Sequence, residues 1–160
     1  MKKISRLLLA PAFAMLLSAG CATAPAPKTI ADTAAATPQL STLTKLIQEA
    51  GLTETLAGPG PFTVFAPSDE AFKAVPAATL RALMQDKARL KAVLSYHVVT
   101  GTVLAADVKN GPVKTVQGAN LALSRSGTFV TVEDAVVTAA DVNATNGVVH
   151  IIDKVLMPPR

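Results

Sequence analysis

The sequence predicts an α+β domain, and three observations carry that prediction. Leucines recur at helical spacing in the first half of the chain, whereas short runs of β-branched residues fill the second half. Between them, the stretch 60–72 changes abruptly from an apolar strand pattern to a helix-start pattern. Because helices come early and strands late, we expect the helices to pack at one end of a mixed or antiparallel sheet.

Length and charge limit the classes of protein that need to be considered. At 160 residues with 50% hydrophobic content, the chain fits one domain with its own core. The formal net charge of +4 includes Lys2, Lys3 and Arg6, which lie in a segment that we expect to be removed. The remaining charges nearly balance, so we predict no nucleic-acid partner.

The first twenty residues have the pattern of an export signal. Basic residues precede an apolar run over 7–19, which is too short to span a bilayer as a helix. The segment 17–21, Leu-Ser-Ala-Gly-Cys, resembles a bacterial lipoprotein box, so we expect lipidation at Cys21. The alternative is an ordinary secretory signal cleaved near Ala22 or Ala24, which would release a soluble periplasmic or secreted protein.

A tether is predicted between this signal and the domain. Residues 21–37 hold the cysteine and an Ala/Thr/Pro-rich stretch with Ile30 as its only large apolar residue. The folded domain is therefore placed at 38–160. The position after the cysteine, where an aspartate often retains lipoproteins at the inner membrane, is occupied by Ala22. We therefore expect the protein to be located in the cell envelope, at the periplasmic face of the outer membrane or at the cell surface. Its contact with the membrane would be through the N-terminal lipid.

Three helices are predicted around the central stretch. The first has Thr37 as its N-cap, Pro38 at its first position and Gly51 after its end. The second begins at Pro76, and the third is capped by Asp86. The apolar positions that should face the core are Leu40, Leu43, Leu46, Ile47, Ala50, Leu80, Leu83, Leu90, Val93 and Leu94.

The central stretch itself predicts a buried strand joined directly to a helix. Residues 62–66 are an aromatic and β-branched run with little polar alternation, so both faces should be buried. Pro67 ends the pairing because it has no N–H. Ser68 is a predicted N-cap, followed by acidic residues that suit the helix dipole. Phe72 should pack back onto the strand.

The second half predicts a sheet of short strands. The runs 98–99, 113–116, 121–123, 129–132 and 135–137 are separated by Gly, Asn or Asp. Asn146 and Gly147 predict a hairpin because both residues tolerate positive φ. The strand 148–156 should then return beside the earlier strands and close the fold.

Two motifs and a residue pair give the chain a family resemblance. The segment 63–72, Thr-Val-Phe-Ala-Pro-Ser-Asp-Glu-Ala-Phe, resembles the first signature of the fasciclin-type domain family. The second signature is matched by Asn146, Gly147, His150, Ile152, Asp153, Val155, Leu156 and Pro158. The resemblance implies a β-sandwich wedge with several short helices packed on it, and a role in adhesion or extracellular binding. The family's Tyr-His pair, matched by Tyr96 and His97, implies a weak candidate interaction site.

The chemistry-bearing residues favour structural roles. His97 follows the third helix on its leucine face, which is typical of a buried, hydrogen-bonded histidine. His150 and Asp153 should point to opposite faces of a strand and cannot easily share a metal ion. Glu133 and Asp134 fit a solvated turn. We therefore predict no catalytic residues, no metal, no cofactor and no enzymatic activity.

Three hypotheses about function follow from these expectations. The first is a non-catalytic adhesion or binding module, monomeric, whose partner is an unidentified protein or polysaccharide of the cell surface or matrix. The second is an enzyme or small-ligand carrier of the envelope, which would require a deep pocket with convergent polar groups. The third is a structural or stress-related envelope protein without a dedicated ligand.

Overall fold

The computed structural model describes residues 28–159, so the predicted signal and Cys21 lie outside the described residues. Six α-helices occur in this part: α1 (Ile30–Ala36), α2 (Ser41–Glu49), α3 (Thr53–Ala57), α4 (Asp69–Ala74), α5 (Ala77–Gln85) and α6 (Lys87–Tyr96). A 3₁₀ turn, Pro38–Leu40, precedes α2. The strands are β1 (Phe62–Pro67), β2 (Val98–Thr100), β3 (Gly111–Lys114), β4 (Asn120–Ser126), β5 (Phe129–Val132), β6 (Ala135–Ala144) and β7 (Gly147–Ile152).

The strands form one sheet in the order β2-β1-β7-β6-β5-β4-β3. Strand β1 pairs antiparallel with β2 and parallel with β7, whereas the pairs from β7 to β3 are antiparallel. Register shifts between Val137 and Val142 interrupt the pairing of β6 with β7, and such irregularities bend a strand. An isolated bridge between Val99 and Thr115 brings the two ends of the sheet together. The α+β class that the sequence pattern predicted and the β-sandwich wedge that the resemblance implied are confirmed.

Strand β1 lies between two hydrophobic clusters, which explains its continuous apolar sequence. Val64 and Ala66 pack with the helices, in a cluster that includes Leu43, Leu90 and Val149. Phe65 points to the other side, into a cluster between the two halves of the sheet. Val64, Phe65 and Ala66 are all at most 4% exposed. The prediction that both faces of this strand are buried is therefore confirmed.

The C-terminal part of the predicted tether belongs to the packed domain. Residues 30–36 form helix α1, and Ile30 is only 1% exposed. Thr29 and Asp32 form a capping box at its start, and its buried side packs in the helical cluster. The tether prediction is wrong for this helix, because one buried isoleucine, small residues and a capping box suffice to dock a short helix.

Three predicted element boundaries are also corrected. Thr37 does not cap α2; its hydroxyl donates to the Thr33 carbonyl at the end of α1. Strand β6 continues to Ala144, seven residues past the predicted end, and β7 stops at Ile152. The predicted caps Ser68 and Asp86 are confirmed, since each side chain accepts a backbone N–H in the first turn of its helix. Within residues 28–159, no helix is both long and apolar enough to cross a bilayer.

Candidate interaction surface

Tyr96 and His97 lie inside the domain, at the end of α6 and just before β2. Tyr96 is 1% exposed and His97 is 2% exposed. Neither side chain can therefore contact a partner directly while the domain is folded. The weak candidate interaction site that the resemblance implied at this pair stays a prediction, and the described burial gives both residues a supporting role.

His97 is a neutral interior residue with both ring nitrogens bonded. Its Nδ1–H donates to the Val93 carbonyl at 2.8 Å, and its Nε2 accepts the Leu156 N–H at 3.0 Å. Burial lowers the pKa of His97 from 6.5 to about 4, although the Val93 carbonyl opposes the shift. The ring thus fastens the chain after β7 to α6, as the buried-histidine interpretation predicted.

Tyr96 connects α6 to the turn between β5 and β6. Its hydroxyl donates to Glu133 Oε1 and lies 3.3 Å from the Asn120 carbonyl oxygen. Burial, together with the Glu133 hydrogen bond, raises the pKa of Tyr96 well above its usual value. Glu133 has a positive φ of 54°. The predicted solvated turn at Glu133 therefore also holds a buried tyrosine in place, which the sequence did not indicate.

His150 is also a buried, hydrogen-bonded ring, in the middle of β7. Its Nδ1 accepts the Asp141 N–H at 3.3 Å, its Nε2–H donates to the Val103 carbonyl at 2.7 Å, and the ring stacks on Phe65. Asp153 lies beyond the end of the strand and accepts the Val136 N–H at 2.8 Å. The two residues serve different contacts, and residues 28–159 hold no cluster of three or more His, Cys, Asp or Glu suited to a metal ion.

The Asn146–Gly147 motif joins three parts of the fold. The Asn146 side chain accepts the Ile30 N–H at 2.9 Å and donates to the carbonyls of Leu56 and Gly58 at 2.6 and 3.0 Å. The hairpin between β6 and β7 is confirmed, but of these two residues only Gly147 has positive φ. The amide of Asn146 is used for bonding across the fold, a role that its turn propensity did not reveal.

Within residues 28–159, the open surface carries several grooves, and two enclosed spaces are small and apolar. One groove of about 620 Å³ lies beside the β6–β7 turn and the Pro59–Pro61 loop. Two others, of about 530 and 420 Å³, flank α4 and share Asp69 and Lys73. A cavity of about 10 Å³ under α5 has room for about one water molecule. This arrangement suits recognition on the outer surface.

The fold and its two motifs define a member of the fasciclin domain family. Residues 38–158 match the family model described as Fasciclin domain, and the chain belongs to this family. The match begins at the predicted domain boundary, whereas the packed unit already includes α1.

Several similar proteins agree with this family assignment. Protein sll1483 of Synechocystis is 44% identical over 133 residues, which cover 82% of this chain and 74% of that protein. Cell surface glycolipoprotein MPB83 of Mycobacterium bovis is 38% identical over 135 residues, covering 81% of this chain and 60% of the relative. Transforming growth factor-beta-induced protein ig-h3 of Sus scrofa is 40% identical over 132 residues, covering 82% and 19%.

A solved structure shares the fold. It is a FAS1 domain pair from the insect cell adhesion molecule Fasciclin I, with a TM-score of 0.63 and 25% sequence identity. The alignment covers 76% of this chain and 46% of that one. The chain therefore corresponds to about half of the domain pair.

Proposed function

We propose that this chain is a non-catalytic fasciclin-domain protein of the cell envelope that serves in adhesion or in binding a protein or polysaccharide partner outside the cytoplasm. Family membership is the observation that supports this proposal most. The non-catalytic part is supported by the two interior histidines, whose ring nitrogens are all hydrogen-bonded within the fold. The names of two similar proteins fit this proposal: one is a cell surface glycolipoprotein and the other is a cell adhesion molecule.

The place where the chain enters the domain would orient a domain anchored at its N-terminus. The Lys28 carbonyl accepts hydrogen bonds from the N–H and the hydroxyl of Thr145, at 2.9 and 3.2 Å. Lys28, seven positions after Cys21 in the sequence, is thus bonded to the β6–β7 turn. A lipid on Cys21 would direct this end of the domain toward the membrane, and the remainder would face outward.

Anchoring is tested by replacing Cys21. In a bacterial host, the wild-type chain should incorporate labelled palmitate and sediment with membranes, and Cys21→Ser should do neither. Ala24→Ser serves as the matched control and should keep both properties. Palmitate labelling of Cys21→Ser would contradict the anchor and favour a soluble or differently held protein.

Adhesion is tested with beads that carry the full-length chain. Beads should be retained on purified envelope polysaccharide or extracellular matrix protein, and beads carrying the same chain after heat denaturation should not. Equal retention of the two bead preparations would contradict the proposed function. A substrate turned over by the chain, with loss of turnover in His97→Gln or His150→Gln variants that remain folded, would also contradict it.

A further inference from the structure

The charges of the described domain are unevenly distributed. Residues 81–91 carry four basic side chains, Arg81, Lys87, Arg89 and Lys91, and one acidic side chain, Asp86. The rest of residues 28–159 carries seven basic and ten acidic residues. All five charged side chains of the stretch are exposed. We name Arg81, Lys87, Arg89 and Lys91 the basic corner.

Two residues of the basic corner depart from the usual preference for acidic side chains at the start of a helix. Lys87 and Arg89 lie in the first turn of α6, which holds no acidic residue. Cations there oppose the helix dipole, typically by about 0.3–1 kcal/mol each. The first turns of α1, α3 and α4 carry acidic residues and those of α2 and α5 are uncharged, so cations occur in the first turn of α6 alone among the described helices. Because local rules are broken most often where function requires it, this exception favours a role for the charges.

The geometry of α5 and α6 presents these side chains outward. Lys87 and Lys91, one turn apart on α6, are exposed at the border of the face that buries Leu90 and Leu94. Only Asp86 separates α5 from α6, and its carboxylate accepts the Arg89 N–H at 3.0 Å. Met84, 43% exposed, lies between Arg81 and Lys87 in the chain.

The basic corner lies at the opposite end of the domain from Lys28. Phe62, the first residue of β1, bonds to Asn146 beside the entry point of the chain. Pro67, the last residue of β1, lines the same small cavity as Leu83 of α5 and Leu90 of α6. A strand of six residues separates these ends by about 17–20 Å. A chain anchored through Cys21 would therefore present the basic corner away from its own membrane.

We propose that the basic corner binds an acidic, carboxylate-bearing polysaccharide, an inference that rests on the proposed function. Long cationic side chains on an exposed helix corner can follow the repeated charges of a flexible polymer without a preformed pocket. Their position away from the anchored end favours a polymer of the outer surroundings over the lipid headgroups beside the anchor.

The test compares two triple variants with equal loss of charge. Full-length wild-type chain is titrated with polygalacturonate, with neutral dextran and with vesicles containing anionic phosphatidylglycerol, at low and at physiological salt. The test variant is Arg81→Gln, Lys87→Gln and Lys91→Gln. The control, Lys45→Gln, Lys109→Gln and Lys154→Gln, removes three exposed charges elsewhere.

We expect the wild-type chain to bind polygalacturonate more weakly as the salt concentration rises, and not to bind dextran. The test variant should bind about tenfold more weakly at low salt, and the control should change less than about twofold. Equal weakening by both variants, tighter binding to the vesicles, or absence of polygalacturonate binding would each overturn the inference. Continued retention of beads carrying the test variant would then show that the proposed adhesion stands although the basic corner does not serve it.

Discussion

At the scale of single residues, backbone contact explains the glycine of the Asn-Gly motif. A Cβ on Gly147 would lie 1.8 Å from the Phe62 carbonyl oxygen and 2.9 Å from the Ile30 side chain, and its φ is +157°. The backbone atoms in that contact belong to the paired strands β1 and β7, so they cannot move aside without breaking the pairing. Gly147 is thus required by close packing as well as by its φ.

Replacing Gly147 with alanine should therefore unfold or severely destabilise the domain. We expect the free energy of unfolding of Gly147→Ala to fall by at least about 4 kcal/mol, measured by urea denaturation. The matched control is Gly127→Ala, since Gly127 also has positive φ, +61°, but has no atom within 4 Å of the added Cβ. That control should lose only about 1 kcal/mol. Similar losses in the two variants would show that strand contact is not the cause.

A second consequence at this scale is a dependence of stability on pH that His97 imposes. Burial depresses the pKa of His97 to about 4 in the folded chain, whereas an unfolded histidine titrates near 6.5. The stabilising effect of the neutral ring is complete above pH 6.5 and is lost as pH falls through 4. We expect about 3 kcal/mol of stability to disappear across this window.

Urea denaturation between pH 4 and 7 measures this loss. The variant His97→Gln should start less stable at pH 7, because it disturbs the bonds to Val93 and Leu156, and should show a shallower pH dependence. Replacing the exposed Lys45 with glutamine should leave the steep dependence in place. A wild-type chain whose stability is constant from pH 6.5 to 4 would refute this account of His97.

At the scale of elements, the sequence predicted structure wherever one local cause dominated. The apolar run of β1 predicted burial on both faces because few other contexts tolerate so continuous a run. Ser68 and Asp86 predicted helix starts because their side chains satisfy backbone N–H groups that no helical carbonyl can reach. The two caps depend on interactions within three residues, and the apolar run of β1 is continuous in the chain, so the sequence displays both signals directly.

The elements that escaped prediction depend on distant partners. Helix α1 is short and rich in alanine, and its first N–H is bonded by Asn146, 116 residues further along the chain. The second half of β6, with alanine, aspartate and asparagine, has weak strand propensity, yet it pairs with the strongly apolar β7. The partners of the Tyr96 hydroxyl and the Leu156 partner of His97 also lie far away in sequence, so the position of the pair indicated burial without identifying these contacts.

The inclusion of α1 in the domain has a measurable consequence. Replacing Ile30 with alanine should lower the free energy of unfolding by about 2–4 kcal/mol, because this side chain is 1% exposed within the helical cluster. Val116→Ala provides the comparison, since Val116 is 41% exposed and should lose less than about 1 kcal/mol. A change below 1 kcal/mol for Ile30→Ala would restore the interpretation of residues 28–37 as a tether.

At the scale of the whole molecule, α6 connects the two hydrophobic clusters. Leu90 and Leu94 pack among the helices, whereas Tyr96, two residues beyond Leu94, lies between the halves of the sheet. The Tyr96 hydroxyl reaches the β5–β6 turn, and the next residue, His97, bonds to the backbone of Leu156. The Tyr-His pair therefore helps to hold α6 against the bent sheet, and we expect a mutation there to act on the surface through the fold.

Removal of the Tyr96 hydroxyl distinguishes a structural role of the pair from a direct role in binding. Tyr96→Phe removes the hydrogen bond to Glu133 and should lower the free energy of unfolding by about 1.5–2 kcal/mol, because bonds to charged acceptors exceed neutral ones. Glu133→Gln keeps an acceptor and should lose less. Retention of full-length chain on its partner, measured per folded molecule, should match wild type in both variants. Loss of retention in Tyr96→Phe with an unchanged unfolding midpoint would contradict this expectation, because the tyrosine hydroxyl would then take part in binding. The domain would have to open locally to expose Tyr96 to a partner.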